Sequence, residues 1–399
     1  MSELAIMFCK AIAKPIIFFA SKLAPITRYF SKINLEISRT FEKVKYTNQL
    51  IPFKDEVGDW CFETDKNFKI LQIADIHLGG GFFSRKRDKK AMNAVASMVT
   101  AEKPDLVVFT GDVVFSLFST SGTFNNKTGA EMFINMMEGL GCYWAMCFGN
   151  HEFENYCVHD EKEVVSWYTD KNLKYCLFDD GPEGVDGHGN QVIKIKNSKG
   201  AVVQALFFLD SHTYVKEDYF GLFRWYDNIH VNQIQWYKDK LLAVDAENKL
   251  ISPKAAMIKS ILFHHIPQEE FEYAWSEYRE NGYKDTENVK YFFGQCREDN
   301  EKNSIPKYKS RIFETLCELK STQAVFVGHN HLNNFSVEYK GIRLTYGMSI
   351  DYLAYYGISR WKEQRGCTII KIRPDGSFDC RQESYYQDKY VSRFEKEIL

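Results

Sequence analysis

The chain has no CxxC pair among its 10 cysteines, no uninterrupted apolar run long enough to span a bilayer, no internal repeat, no low-complexity tract and little net charge. Each absence removes a class of protein. Without closely spaced cysteines, neither a zinc-finger ligand set nor a disulfide framework is expected; thiols scattered through apolar stretches such as GCYWAMCFGN fit a reducing, cytoplasmic compartment. Without a spanning run, no transmembrane helix is expected. With 51 basic against 53 acidic residues the formal net charge is -2, so no global positive field points to nucleic acid, and none is expected as a partner. The chain is well supplied with core: 45% of its 399 residues are hydrophobic and 15% aromatic, enough for one large domain or two.

The first 31 residues are apolar but interrupted by Lys10, Lys14, Lys22 and Arg28. At about 100° per residue, Lys10, Lys14, Ser21 and Arg28 fall within roughly 40° of one another, while Phe8, Ile12, Ile16 and Phe19 lie mostly elsewhere. Residues 1–50 therefore read as a basic amphipathic N-terminal segment. Residues 1–31 are either a peripheral anchor on a membrane surface, or a helix packed on the following domain or a poorly ordered leader. The charges sit inside the apolar stretch, which argues against a cleaved signal peptide.

From residue 51 to 399 the pattern is that of one α/β domain. Short apolar runs each close on a polar residue and precede a helix-compatible stretch: FKILQIADIH (68 to 77), DLVVFTGD (105 to 112), CYWAMCFGNH (142 to 151), ALFFLDSH (205 to 212), SILFHHIP (260 to 267) and AVFVGHNH (324 to 331). Near-continuous apolar runs suit strands covered on both faces. The closing residues are Asp75, His77, Asp112, Asn150, His151, Asp210, His264, His265, His329 and His331. Almost all can ligate a metal or move a proton, and carboxylate, imidazole and amide oxygen without thiolate suit borderline to hard divalent ions. On extended chain, side chains two apart point the same way, so Asp75 with His77, and His329 with His331, are expected to present pairs.

In this order, ADIH, GD, GNHE, HHIP and GHNH resemble the calcineurin-like metallophosphoesterase superfamily. Within it, GVDGHGNQVIKI, FFLDSHTY, QIQWYKD, FHHIP and YGMSIDYLAYYG are most similar to the purple-acid-phosphatase-related intracellular phosphatases of the yeast Dcr2 type. The resemblance implies two divalent metal ions, manganese, iron or zinc. Asp75, His77, Asp112 and His331 would hold the first; Asp112, Asn150, His265 and His329 would hold the second, with Asp112 bridging. His265 is chosen over His264 because the family pattern is His, apolar residue, Pro. The resemblance also implies attack by a metal-bridging hydroxide, with His151 protonating the leaving group. Glu152 would orient either His151 or the turn after the strand; Asp210 either accepts a histidine N–H or caps the next element, the preferred reading. Purple acid phosphatases carry a tyrosine three residues after the bridging Asp; here Phe115 stands there, which argues against a ferric, coloured centre.

The implied fold is a four-layer αββα sandwich of two mixed sheets, the metallo-dependent phosphatase fold, with IRLTYGMSI and CTIIKIRPDGSF as late strands. The implied activity is hydrolysis of phosphomonoesters, of a phosphoprotein or small metabolite. A phosphodiesterase for cyclic nucleotides or phospholipid headgroups is the alternative, and a catalytically silent binding module the reading of another class. GGGFFSRKRDKK (79 to 90) reads as a loop entering a helix with a solvated basic face, in preference to a phosphate cradle. The charged, aromatic segment 268–310 is expected to form a lid or rim, joined by Arg360 and Trp361.

Overall fold

The computed structural model describes residues 32–218, 221–253, 255–298, 304–355, 358 and 363–397, with Pro15, Phe18, Lys22 and Tyr29 of the N-terminal stretch. The expected anchor in residues 1–31 otherwise lies outside the described residues, as do Arg360 and Trp361. No described helix is long and apolar enough to cross a membrane.

A short hairpin, β1 (Phe53–Lys54) and β2 (Trp60–Glu63), leads into β3 (Phe68–Ile73), α1 (Arg85–Glu102), β4 (Leu106–Thr110), α2 (Phe118–Ser121), α3 (Asn126–Leu140), β5 (Trp144–Cys147) and α4 (Glu161–Tyr168). Then follow β6 (Gln191–Lys196), β7 (Val202–Phe208), α5 (Val231–Ile251), β8 (Ser260–Phe263), α6 (Glu269–Glu280), β9 (Val289–Phe293), α7 (Ile312–Leu319) and β10 (Thr322–Val327). The chain closes with β11 (Ser336–Tyr339), β12 (Ile342–Tyr346), β13 (Cys367–Ile372) and β14 (Phe378–Glu383). Nine strands form one mixed sheet in the order β1-β2-β6-β7-β8-β10-β12-β11-β9, and five form the other, β14-β13-β3-β4-β5. All six apolar runs singled out in the sequence are strands, and the Pro-Asp-Gly turn joins β13 to β14.

The pleat explains why these strands are apolar on both faces. Ile70, Leu106, Val108, Leu206, Phe208, Ile261, Phe263, Ala324 and Phe326 pack between the two sheets. Their alternates on β3 and β4, Leu71, Ile73, Val107 and Phe109, turn outward onto Met92, Val95 and Val99 of α1 and Phe133 and Met137 of α3. Alternates on the other sheet, Phe207, Leu262, Val325 and Val327, meet Tyr237 and Leu241 of α5, Phe271 of α6 and Leu316 of α7. Helix, sheet, sheet, helix is the resulting layer order, the four-layer sandwich expected. Phe326 is fully buried, and truncating it to Ala would cost about 3–5 kcal/mol. β3, β4 and β5 run parallel, as do β7, β8 and β10, so the ends carrying the chemistry-bearing residues gather at one edge.

Candidate metal centre

The loops after the strands are tied to one another before any side chain is considered. Asp75 N–H donates to the Gly111 carbonyl (3.2 Å), His77 N–H to that of Asp112 (3.0 Å), and Gly328 N–H to that of His265 (3.1 Å). The backbone here is not extended. Asp75, His77, Asp112 and His329 have φ of 50°, 55°, 51° and 75°, the left-handed region that costs non-glycine residues on the order of 1 kcal/mol or more each. Pleat alternation is therefore not what presents these residues. His329 and His331, expected to face alike, turn into different groups because the left-handed turn at His329 breaks the alternation. Close approach requires glycine beside them: a Cβ on Gly149 would lie 2.2 Å from Asp112 Oδ1, and one on Gly111 2.3 Å from His265 Nδ1.

Two groups of donor atoms result, each lying within 4.8 Å: Asp75, His77, Asp112 and His331, and Asp112, His265 and His329. Asp112 belongs to both. Its Oδ2 lies 3.4 Å from His77 Nε2 and 3.1 Å from His265 Nε2, while its Oδ1 accepts the backbone N–H of His151 at 2.9 Å. The Asn150 Oδ1 atom is 3.3 Å from His265 Nε2, which adds the neutral amide oxygen to the second group. Asp75, His77, Asp112 and His331 thus meet at one position and Asp112, Asn150, His265 and His329 at its neighbour. The five-stranded sheet supplies Asp75, His77, Asp112 and Asn150; the nine-stranded sheet supplies His265, His329 and His331.

The electrostatics favour cations. Burial alone would raise the Asp112 carboxyl, yet the surrounding imidazoles, His265 foremost, hold it well below the usual carboxylate range. Burial also works against a charged His265, but the Asp112 carboxylate pushes its imidazole up to about 9. Divalent cations would compete with protons for these imidazoles. One observation tests whether metals fit: among the described residues Asp75 Oδ2 is buried with no hydrogen-bond donor. A buried, unpartnered carboxylate oxygen amid three imidazoles is what a cation ligand requires. The residues fit two divalent ions.

Around this centre stand residues the sequence reading did not name. Asp351 lies 3.4 Å from His77 Nδ1 and 3.3 Å from His331 Nδ1, so its one carboxylate orients both rings with Nε2 inward. It reaches them because Asp351 N–H donates to the Asp75 carbonyl (2.9 Å), laying segment 349–351 beside 74–75. In the second group the corresponding service comes from backbone, the Thr110 carbonyl accepting from His265 Nδ1 at 2.7 Å. His151 is oriented by Glu154, 2.7 Å from its Nδ1; Nε2 points toward Asp112. Tyr214 donates to the same Glu154 carboxylate (3.2 Å), and the ring of Tyr226 packs edge-on against His329, centroids 4.4 Å apart.

Other expectations resolve by contact. Glu152 does not hold the His151 ring: its carboxylate accepts the backbone N–H groups of Val113 (2.5 Å) and Gly149 (2.8 Å), so it holds the turns. Asp210 accepts the backbone N–H groups of His188 (2.9 Å) and His212 (2.8 Å) and so braces two loops; it does not cap the next helix, α5, whose N-cap is His230. His264 lies outside both donor groups, its imidazole pushed down to about 4 by burial. Phe115 sets its ring edge against His77 and His151, with centroids 5.5 and 4.7 Å away. In the glycine-rich loop, Asp88 accepts the N–H groups of Gly79 (2.8 Å) and Gly80 (3.2 Å), donors a phosphate cradle would have needed. Of segment 268–310, α6 and β9 form the outer layer and edge of the nine-stranded sheet, and Glu298 accepts from Asn330 Nδ2 (2.9 Å) beside the GHNH loop.

Known proteins are similar to this chain. "Probable inactive purple acid phosphatase 28" of Arabidopsis thaliana is 26% identical over 366 residues, 85% of each chain. "Phosphatase DCR2" of Saccharomyces cerevisiae is 30% identical over 297 residues, 68% of this chain and 46% of that one. A dimetal phosphatase from Danio rerio superposes with a TM-score of 0.47 and 11% identity, over 80% of this chain and 100% of that one. Residues 68–333, the span that contains every candidate ligand, match the calcineurin-like phosphoesterase family, and the chain belongs to that family.

Proposed function

We propose that the protein is an active, metal-dependent phosphomonoesterase whose substrate is a phosphoprotein or a small phosphorylated metabolite. The observation that carries this reading is the convergence of two donor groups on the shared Asp112, with the His151 ring beside it. Several relatives bear names that include the word inactive; in this chain the candidate ligands of both positions are in place.

Two divalent cations held by these residues would neutralise phosphoryl oxygens and bring the pKa of a water toward neutral. The chain's part is orientation and proton delivery. Asp351 and the Thr110 carbonyl fix the rings of His77, His331 and His265 from behind, so their inward nitrogens need no reorganisation when substrate arrives. Asp112 holds the His151 backbone in place through Oδ1. Glu154 accepts from His151 Nδ1, which fixes the ring and leaves Nε2 to carry the proton for the departing alkoxide. Phe115 and Tyr226 wall the imidazoles with ring edges and limit water around them.

The test is hydrolysis of p-nitrophenyl phosphate and bis-p-nitrophenyl phosphate in parallel by metal-stripped protein after manganese, zinc, iron(II) or magnesium is added back. Monoester turnover restored by one metal is the expected result. A diester preference would replace this reading with the phosphodiesterase, and folded protein inert with every metal would replace it with a silent binding module.

A further inference from the structure

The rim beside His77 carries exposed aromatic side chains that the centre does not use. Phe82 and Phe83 are 47% and 57% exposed and Phe118 is 41% exposed, and what sets them apart is that they are contiguous. They form one ridge: the Phe82 and Phe83 centroids are 6.0 Å apart, and those of Phe83 and Phe118 are 6.3 Å apart. The ridge is built, not loose. Phe83 N–H donates to the Ser121 carbonyl (3.0 Å), joining the two loops that bear it, and Asp88 ties Gly79 and Gly80 to the start of α1. Both loops issue from the centre, one following His77 and the other Asp112.

Charge supplies the second observation. Immediately behind the ridge, residues 85–90 read RKRDKK, and the one acid among them, Asp88, is buried in the staple just described. Lys86 is exposed, and the Arg85 guanidinium sits 5.7 Å from the Phe82 ring centre. A chain with net charge -2 thus concentrates cations around its exposed phenylalanines. The helical stretch at 32–38 docks on the same spot, with Asn34 Nδ2 donating to the Arg85 carbonyl and to Asp88 Oδ2, both at 3.3 Å. Apolar rings at a tip with basic residues behind are the arrangement that enters the headgroup region of an anionic bilayer, where rings bury and cations meet phosphate and carboxylate groups.

We propose that the Phe82–Phe83–Phe118 ridge, with Arg85 and Lys86, docks the protein on anionic lipid surfaces and holds the mouth of the metal centre against the bilayer. This contact does not depend on the enzymatic reading, because binding is measured without turnover.

The experiment is co-sedimentation of the full chain with phosphatidylcholine vesicles, with or without phosphatidylserine, across a salt series. Wild type should bind the anionic vesicles, weaken as salt rises and leave neutral vesicles largely unbound. Replacing Phe82 and Phe83 together by Ser should weaken binding roughly tenfold or more, with the thermal midpoint and p-nitrophenyl phosphate turnover unchanged. Arg85→Gln with Lys86→Gln should lower affinity less and flatten the salt dependence. Equal binding to neutral vesicles, no binding to either, or a Phe82→Ser/Phe83→Ser protein that binds like wild type would overturn the proposal. If vesicles are ignored but that double variant raises KM for a phosphopeptide, the ridge serves a protein substrate and the lipid proposal falls.

Discussion

Two of the clusters of imidazole and carboxylate on this fold differ in a way that shows what turns such residues into a candidate metal centre. The first is the centre itself, where the side chains of His77, Asp112 and His265 are at most 1% exposed. The second sits at the start of α5. There His230 Nδ1 meets Asp186 (2.8 Å), its Nε2 meets Asp227 (3.3 Å), and its ring stacks on His212 at 4.1 Å. His230 and Asp186 side chains are 33% and 54% exposed. Both His230 nitrogens are occupied by carboxylates that approach from different sides, whereas in the centre the outer nitrogens of His77, His331 and His265 face Asp351 or the Thr110 carbonyl and the inner ones converge. Among the described residues no group of three donors converges around His230 as two do in the centre. Composition alone does not distinguish the clusters; burial and the direction of the unheld nitrogens do.

The largest break in that comparison is Asp112→Asn. Removing the shared carboxylate should lower turnover by roughly three orders of magnitude or more and reduce bound metal per chain, measured by mass spectrometry of the digested protein. Asp186→Asn, made in the other cluster, should leave metal content unchanged. Next comes Asp351→Asn, expected to weaken metal binding about 10–100-fold in competition with a chelator, because the rings of His77 and His331 lose the group that orients them. The counterpart Asp227→Asn should not shift that competition. Glu154→Gln should slow alkyl phosphates by about tenfold and nitrophenyl phosphate far less, since only a poor leaving group needs the proton His151 delivers; equal slowing would remove that role.

The smallest effect belongs to the exposed cluster and concerns pH. The hydrogen bond that His230 donates to the Asp227 carboxylate, opposed by partial burial and helped by Asp186, pushes its imidazole up to about 9 from its ordinary 6.5. The folded value lies above the unfolded one, so the charged ring stabilises the fold fully below pH 6.5, and the contribution is lost as pH rises through about 9. Urea midpoints of wild type and His230→Ala should therefore differ most near pH 6 and converge by pH 10, by a small amount because the pair faces solvent. A gap that stays constant with pH would show that packing, not charge, is what His230 contributes.

Much of this was legible in the sequence, for one physical reason: a strand buried on both faces must be apolar throughout, so the first polar residue after it marks the sheet edge. That rule reached Asp75, Asp112, Asn150 and the His264–His265 pair across 190 residues without any contact information, and the family resemblance chose His265 from the pair. The same rule, carried one residue further along IRLTYGMSI, would have reached Asp351, which closes that run and was left unnamed. Glu154 had no such signal. GNHEFE offers two glutamates, and which one meets His151 depends on an irregular loop whose path no periodicity encodes. The pairing of His329 with His265, and of His331 with His77, was hidden from the residues alone because left-handed backbone turns override alternation.

The candidate ligands come from both sheets, and Asp112 serves both positions. A loaded centre would therefore act mechanically as a rivet through the open edge of the sandwich, passing load from β4 to β8 and β10 across atoms that no strand pairing joins. Pulled apart or heated, the two sheets of the loaded protein would separate late and together; stripped of its ions, the same edge would be where the sandwich first gapes.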